Sequence, residues 1–264
     1  MKKSLQHIFF GVLVVVLGLA ACNKDITYVA EPVSSSSNAY IKFLHLSPSL
    51  AAITGQADNV TLLNLDLKSN TYSKITGTPL AYEKYFPTTT NAYATIPTGL
   101  QTIKFSLAAV SQKDSMELFL KKVQIDAGKY YSFIITDSIK SETNSKAMFL
   151  QDDLLSLGST QIGMRFVHAI WNDTAAKNVD IFSVRNNATI FSGRSAGSAS
   201  TFTPLNYFTT SDTLIVRRAG TTFALATLNS ASFTPGRNYT LVYKGNGAVT
   251  TTTAKPRSLF IYGH

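Results

Sequence analysis

The chain has 264 residues, 24 Lys and Arg against 15 Asp and Glu, a formal charge of +9 and a single cysteine, which excludes an internal disulfide. The positive balance comes from a shortage of acids, and no basic cluster is longer than Arg217-Arg218 or Lys121-Lys122. That pattern points to a solvated, mildly basic surface and away from a nucleic-acid partner.

Lys2 and Lys3 precede an apolar run over residues 8–19, which ends in Leu19-Ala20-Ala21-Cys22. The run is shorter than the ~20 residues a spanning helix needs, and its small residues before Cys22 read as a cleavage site. Residues 1–21 are therefore expected to be a signal peptide. Leu-Ala-Ala-Cys resembles the lipobox of bacterial lipoproteins, in which the Cys thiol takes a diacylglycerol and the chain is cut just before it. Cys22 would then be the first mature residue and the membrane anchor, and a secreted protein would carry no free thiol. The alternative is an ordinary secretory signal followed by an unrelated Cys. Residues 22–38, with Pro32 and the serine run 34–37, read as a flexible tether. Asn23 is not the Asp that retains enterobacterial lipoproteins at the inner membrane. Lys24-Asp25 resembles the Lys-plus-acid export signal of Bacteroidetes. The expectation is an outer-membrane lipoprotein on the cell surface, with the periplasmic face as the alternative.

The remaining chain is rich in Thr, Ser, Tyr, Phe, Val and Ile, which suit a pleated, half-buried surface, and it is expected to be all-β. Strands are expected at 41–46, 60–67, 93–96, 102–108, 116–125 and 130–135. A second set follows at 164–169, 179–184, 189–192, 213–218, 222–228, 238–243 and 258–262. The sets echo one another: Ile41-Lys42-Phe43-Leu44-His45-Leu46 aligns with Met164-Arg165-Phe166-Val167-His168-Ala169. Likewise Gly128-Lys129-Tyr130-Tyr131 aligns with Gly236-Arg237-Asn238-Tyr239, a glycine turn and a basic residue leading into a strand. Phe43 and Gly128 are further apart than Phe166 and Gly236, so the first unit should hold an insertion, placed at 68–90. Short strands separated by turn signals suggest two tandem immunoglobulin-like β-sandwiches, at 39–153 and 162–264, joined by a connector at 154–161.

Arg165-Phe166-Val167-His168-Ala169, then Val179-Asp180-Ile181-Phe182, then Gly236-Arg237-Asn238-Tyr239-Thr240-Leu241-Val242 resemble the successive signatures of the family called domain of unknown function 4397. Leu150-Gln151-Asp152-Asp153 resembles its unit ending. The resemblance is good in the second unit and looser in the first, where Val60-Thr61-Leu62-Leu63 replaces the Val-Asp pair. It implies tandem immunoglobulin-like sandwiches in secreted or lipid-anchored bacterial proteins, with no established activity or catalytic residues.

On a strand, His45 shares a face with Ile41 and Phe43, and His168 with Met164 and Phe166. A partly buried His bonding turn backbone is the structural expectation. A metal site needs several convergent ligands, and His45, His168 and His264 are not at ligand spacing, although Asp180 or Asp152-Asp153 could join a His in space. Glu is confined to Glu31, Glu83, Glu117 and Glu142, with no paired carboxylates in a glycosidase setting. Nucleophile-elbow and phosphate-loop motifs are missing too. The chain is thus expected not to be an enzyme and to need no cofactor or metal.

Candidate ligand-binding residues are Trp171 and Asn172 in the loop after the second opening strand, and Tyr82 and Tyr85 in the insertion. A place in the core or rim of the sandwich is the favoured reading of Trp171, with ring stacking on a sugar as the other. Asp followed by Ser or Thr and a small or aliphatic residue occurs four times, which resembles the Bacteroidetes O-glycosylation motif at Ser115, Ser138, Thr174 and Thr213. These pairs are also ordinary turn openers. The expected function is a binding or adhesion module of the envelope, with glycans, glycoproteins or envelope proteins as partners. The alternative is a structural spacer or assembly subunit with no soluble ligand.

Overall fold

The computed structural model describes residues 38–48, 63–68, 72–74, 80–89, 91–107, 116–136, 147–171, 173, 175–248 and 255–264. Among them the chain is all-β, in seventeen strands without a helix. The first nine are β1 (Asn38–His45), β2 (Leu63–Lys68), β3 (Tyr72–Lys74), β4 (Lys84–Phe86), β5 (Ala94–Pro97), β6 (Gly99–Leu107), β7 (Met116–Ile125), β8 (Tyr130–Ile135) and β9 (Met148–Gln151). The others are β10 (Gln161–His168), β11 (Asn178–Ser183), β12 (Ala188–Ser195), β13 (Thr203–Asn206), β14 (Asp212–Arg218), β15 (Ala224–Ala231), β16 (Asn238–Lys244) and β17 (Ser258–Gly263).

Each half is an immunoglobulin-like sandwich of two sheets, and the two halves repeat one topology. The first half has sheets β4-β1-β8-β9 and β3-β2-β6-β7, with β5 sharing the β4 edge of β1. The second has β13-β10-β16-β17 and β12-β11-β14-β15. In both, the opening strand pairs in parallel with a late one, β1 with β8 and β10 with β16. Parallel neighbours need a long crossover, and here the strands of the other sheet supply it. Register is conserved as well: Lys42 lies opposite Ser132 as Arg165 lies opposite Thr240. β4 is the departure. Its place in the second half is taken by one isolated bridge, Val167 with Ala199, and β4 falls within 68–90, where the insertion was expected. β3, β4, β9 and β13 are short strands that the residue pattern did not reveal.

Alternation along β1 and β10 builds three apolar clusters. Ala39, Ile41 and Phe43 meet Ile103, Val123 and Ile125 inside the first sandwich. Met164 and Phe166 meet Val179, Ile181, Leu214 and Val216 inside the second. The opposite faces close on each other: Leu44, Leu46, Ile134 and Met148 of the first half pack with Val167, Ala169, Val242 and Tyr262 of the second. The four sheets therefore stack, and the two that hold the parallel pairs are covered on both sides. Sheets buried on both faces read as near-continuous apolar runs, and all of β16 is buried.

The connector is clamped to the second sandwich. The Leu155 N–H donates to Asn238 Oδ1 at 3.2 Å, and Asn238 Nδ2 donates to the Leu155 carbonyl at 2.9 Å. Gly163 makes this possible, since a Cβ there would sit 2.0 Å from Asn238 Oδ1.

His45 and His168 point into the two sandwich interiors and are fully buried, deeper than expected. The Nδ1–H of His168 donates to the Arg194 carbonyl at 3.2 Å. At His45 the Ser47 N–H lies 3.5 Å from Nδ1. Burial lowers the pKa of His168, so its ring is neutral at pH 7.

Candidate functional site

The repeated motif carries its distinctive chemistry on the basic residue, not the histidine. Lys42 and Arg165 alternate to the faces that close on each other, where both are almost wholly buried. A buried cation needs partners. Arg165 takes them from both halves: Nη2 donates to Asp152 Oδ1 at 2.6 Å and to the Tyr262 hydroxyl at 3.4 Å, Nη1 to the Gln151 carbonyl at 3.2 Å, and Nε to Thr240 Oγ1 at 3.1 Å. Lys42 Nζ reaches across the other way and donates to the Gly263 carbonyl at 2.6 Å. The rings of Tyr85, Tyr93 and Tyr262 surround its ammonium at 5.7, 5.0 and 5.7 Å from their centroids.

Register makes this arrangement a pseudo-twofold. Ser132 pairs with Leu150 on β9, and Thr240 with Tyr262 on β17, so Asp152 and His264 stand at equivalent places two residues further on. The contact is isologous in form, like that of a C2 dimer, but chemically uneven because an acid in one half matches an imidazole in the other. Asp152 accepts from Arg165, from Ser132 Oγ at 2.7 Å and from the Tyr93 hydroxyl at 2.9 Å. His264 Nε2 lies 2.7 Å from Thr240 Oγ1, and its Nδ1 touches the Tyr93 hydroxyl. With the Tyr93 O–H directed at Asp152, His264 must carry its own proton on Nδ1, donate it to the Tyr93 oxygen and accept from Thr240 on Nε2.

The electrostatics agree with that assignment. Burial, then the charges of Arg165 and Lys42, hold the pKa of His264 well below the usual imidazole range. Burial pulls Lys42 down to about 8, against the attraction of Asp152. For Arg165 burial acts in the same lowering sense, but Tyr262 and Asp152 outweigh it and the guanidinium stays charged. Burial and then Asp152 push the Tyr93 hydroxyl upward, so it remains a donor. The cluster fastens two sheets together.

Beside this fastener a cleft of about 210 Å³ opens at the junction. Gln151 and Asp153 line it from the end of β9, Ser200, Thr201 and Phe202 from the segment before β13, and Arg165 from within. The Arg165 guanidinium lies 4.6 Å from the Phe202 ring centroid.

The three aromatics proposed from sequence also lie at the junction. Trp171 is half-buried beside the shared cluster, its Nε1 donating to Thr136 Oγ1 of the first half at 2.9 Å. Its ring covers Gly197, where a Cβ would meet it at 2.2 Å. Tyr82 is edge-on to His45, with Lys255 Nζ 4.0 Å and Lys244 Nζ 5.3 Å from its ring centroid. Tyr85 meets Phe260 edge-to-face. Lys244 pairs with Glu83 at 2.5 Å, again across the halves. Trp171 thus occupies the rim position that the sequence allowed. Asn172, Cys22, Ser115, Ser138 and Thr174 lie outside the described residues. Thr213 is half-buried at the start of β14. Its neighbour Asp212 is buried and accepts from Ser183 Oγ at 2.5 Å and from the N–H groups of Arg185 and Thr213 at 2.9 and 2.7 Å. Asp173 accepts from the Ala175 N–H and Tyr243 hydroxyl, both at 2.9 Å, and pairs with Arg257 at 3.0 Å. Both acids therefore work as turn-holding groups, one of the two roles weighed for them.

Sequence reasoning did not find Lys42, Tyr93, Asp152, Arg165 and His264 as a set. The signal was present in part, since the hexads repeat a basic residue at the position that reaches across.

The family model described as domain of unknown function (DUF4397) matches residues 39–182. That span holds the whole first sandwich and the 165–169 and 179–182 signatures of the second, but not 236–242. No curated protein matches the chain in sequence. Among solved structures, the Bacillus anthracis TIE protein aligns at 10% identity and a TM-score of 0.22, over 79% of this chain and 34% of its own; the chain spans about a third of that protein. A DUF1812 protein of Bacteroides thetaiotaomicron, to which polysaccharide binding is attributed, aligns at 8% identity and a TM-score of 0.23, over 81% of this chain and 94% of its own. A Bacteroides fragilis protein, to which cell adhesion is attributed, aligns at 9% identity and a TM-score of 0.21, over 85% and 97%. At these scores the superpositions carry no argument.

Proposed function

We propose that this chain, which belongs to the DUF4397 family, is a non-catalytic binding or adhesion module of the bacterial envelope, anchored by a lipid on Cys22 and displayed at the outer-membrane surface. The observation that carries this reading is how the acids at the junction and turns are used. Asp152, Asp173 and Asp212 are each saturated by structural donors, so none is poised for acid–base work. What remains for partners is a rigid double sandwich with loops and a cleft at the junction, a setting where ligand sites usually form.

The ligand class proposed is a glycan or glycoprotein. The test is binding of the soluble chain from Asn23 to His264, without lipid, to glycans and matrix glycoproteins. Saturable binding is the expected result. Folded protein that binds none of them, yet co-purifies with other envelope proteins, would replace this reading with the structural-spacer one, which the rigid junction also suits. Trp171→Ala is a poor probe of binding on its own, because Trp171 bonds Thr136 across the junction. A lost signal counts only if the melting temperature holds. Lipidation has a separate test: incorporation of labelled fatty acid that disappears in Cys22→Ala.

A further inference from the structure

We propose that the cleft beside Arg165 is the recognition site of this module and that it takes one ring of an uncharged, polyhydroxylated ligand, a neutral carbohydrate residue. The inference rests on the binding-module reading above and gives that module its site and ligand class.

The first argument is donor counting at Arg165. A guanidinium has five N–H donors. The bonds to Thr240, Gln151, Asp152 and Tyr262 use one on Nε, one on Nη1 and two on Nη2. Among the described residues one Nη1–H has no acceptor, on a side chain only 3% exposed that lines the cleft. A desolvated donor left unpaired is costly, and an oxygen placed in the cleft satisfies it. The donor is also held in place: three sides of the guanidinium are bonded and one face is set against Phe202, so the ligand meets a preorganised group.

The second argument is charge. Asp152 already neutralises Arg165 at 2.6 Å, and the mouth of the cleft adds the carboxylate of Asp153. With Lys42 counted, Arg165 and Lys42 are balanced by Asp152 and Asp153, so an anionic ligand would find no net positive charge to pair with there. A hydroxyl-rich ring suits the wall instead, because each hydroxyl both donates and accepts. It can accept from Arg165 and Gln151 Nε2 and donate to Asp153 and Thr201. The 2.5 Å bond between Gln151 Nε2 and Asp153 Oδ1 orients both planar groups while leaving lone pairs on the carboxylate. Leu155 supplies an apolar patch for the ring's C–H face. About 210 Å³ suffices for one sugar ring and is below the usual range for larger ligands.

The experiment uses the soluble chain from Asn23 to His264 and two sets of probes: neutral oligosaccharides, and their sialylated or uronic-acid counterparts. Three variants leave the buried fastener intact. Thr201→Trp fills the cleft, Asp153→Asn removes the carboxylate at its mouth, and Lys129→Ala, a residue outside the cleft, is the control. We expect neutral glycans to bind, Thr201→Trp and Asp153→Asn each to weaken them about tenfold or more, the cost of one good polar contact or of lost space, and the control to bind as the parent does. Melting temperatures should stay within a few degrees of the parent. Binding that is unaffected by both cleft variants, or confined to acidic glycans, overturns this site while leaving the module reading in place. Folded protein that binds no glycan of either set overturns both.

Discussion

Removing the Asp152 carboxylate tests the junction most directly. In Asp152→Ala, Arg165 keeps its charge at 3% side-chain exposure but loses its carboxylate partner, and Tyr93 and Ser132 lose their acceptor. Breaking a buried pair from one side costs about 3–5 kcal/mol, because the remaining charge stays desolvated. Stranding each of the two neutral donors adds about 1–3 kcal/mol, less whatever water recovers. An expected loss of about 4 kcal/mol or more is a large part of the 5–15 kcal/mol typical of a domain. The variant Asp152→Leu with Arg165→Met removes both charges and should recover most of that loss, as apolar replacements of buried pairs do. Urea denaturation at pH 7 is the assay, with far-UV circular dichroism following all four sheets. The sole Trp, Trp171, gives fluorescence from the rim of the shared cluster. Because the two halves share that cluster, both signals of the parent should fall in one transition. A loss below about 1 kcal/mol in Asp152→Ala would refute the reasoning, as would a Trp171 signal that changes well before the dichroism.

Further predictions concern protonation and close packing. The folded pKa of Lys42 is below its unfolded value, near 8 against 10.5, so the unfolded chain holds the extra proton between them. Stability should therefore rise by roughly 1 kcal/mol from pH 8 to 9, below the range where the buried tyrosines, held protonated in the fold, oppose it, and Lys42→Met should remove the rise when urea midpoints are compared across that range. Acid acts with the same sign: His168 and His264 are held neutral, so stability should fall as pH drops through the unfolded imidazole range near 6.5, and His264→Gln should flatten part of that fall in a thermal-melt series. Gly197→Ala puts a Cβ within 2.2 Å of the Trp171 ring at a φ of +72°. It should cost about 1–3 kcal/mol and shift the Trp171 emission. Gly163→Ala should release Asn238 from Leu155 at a similar cost, seen as faster hydrogen exchange at the Leu155 amide.

Much of the architecture was legible because it is local. The alternation of Ile41 to Leu46 and its echo at Met164 to Ala169 revealed the strands, the duplication and which side chains share a face. The extra length between Phe43 and Gly128 located the insertion that holds β4. The short strands β3, β4, β9 and β13 were missed because three or four residues carry little periodicity, although β5, equally short, was found.

The sequence by itself determined that the chain is all-β, duplicated and a member of the DUF4397 family, since each follows from patterns within a few neighbouring residues. Only the tertiary structure decided what the second face of the opening strand does. Lys42 and Arg165 sit in their strands as solvent-facing residues would, and beyond the repeat of a basic residue at that position nothing in their local context says otherwise. The partners that allow their burial, Asp152 for Arg165 and the Gly263 carbonyl for Lys42, come from the other half of the chain. A buried charge is tolerated only where distant donors and acceptors converge on it, and that convergence is set by how the sheets stack, not by any pattern along one strand.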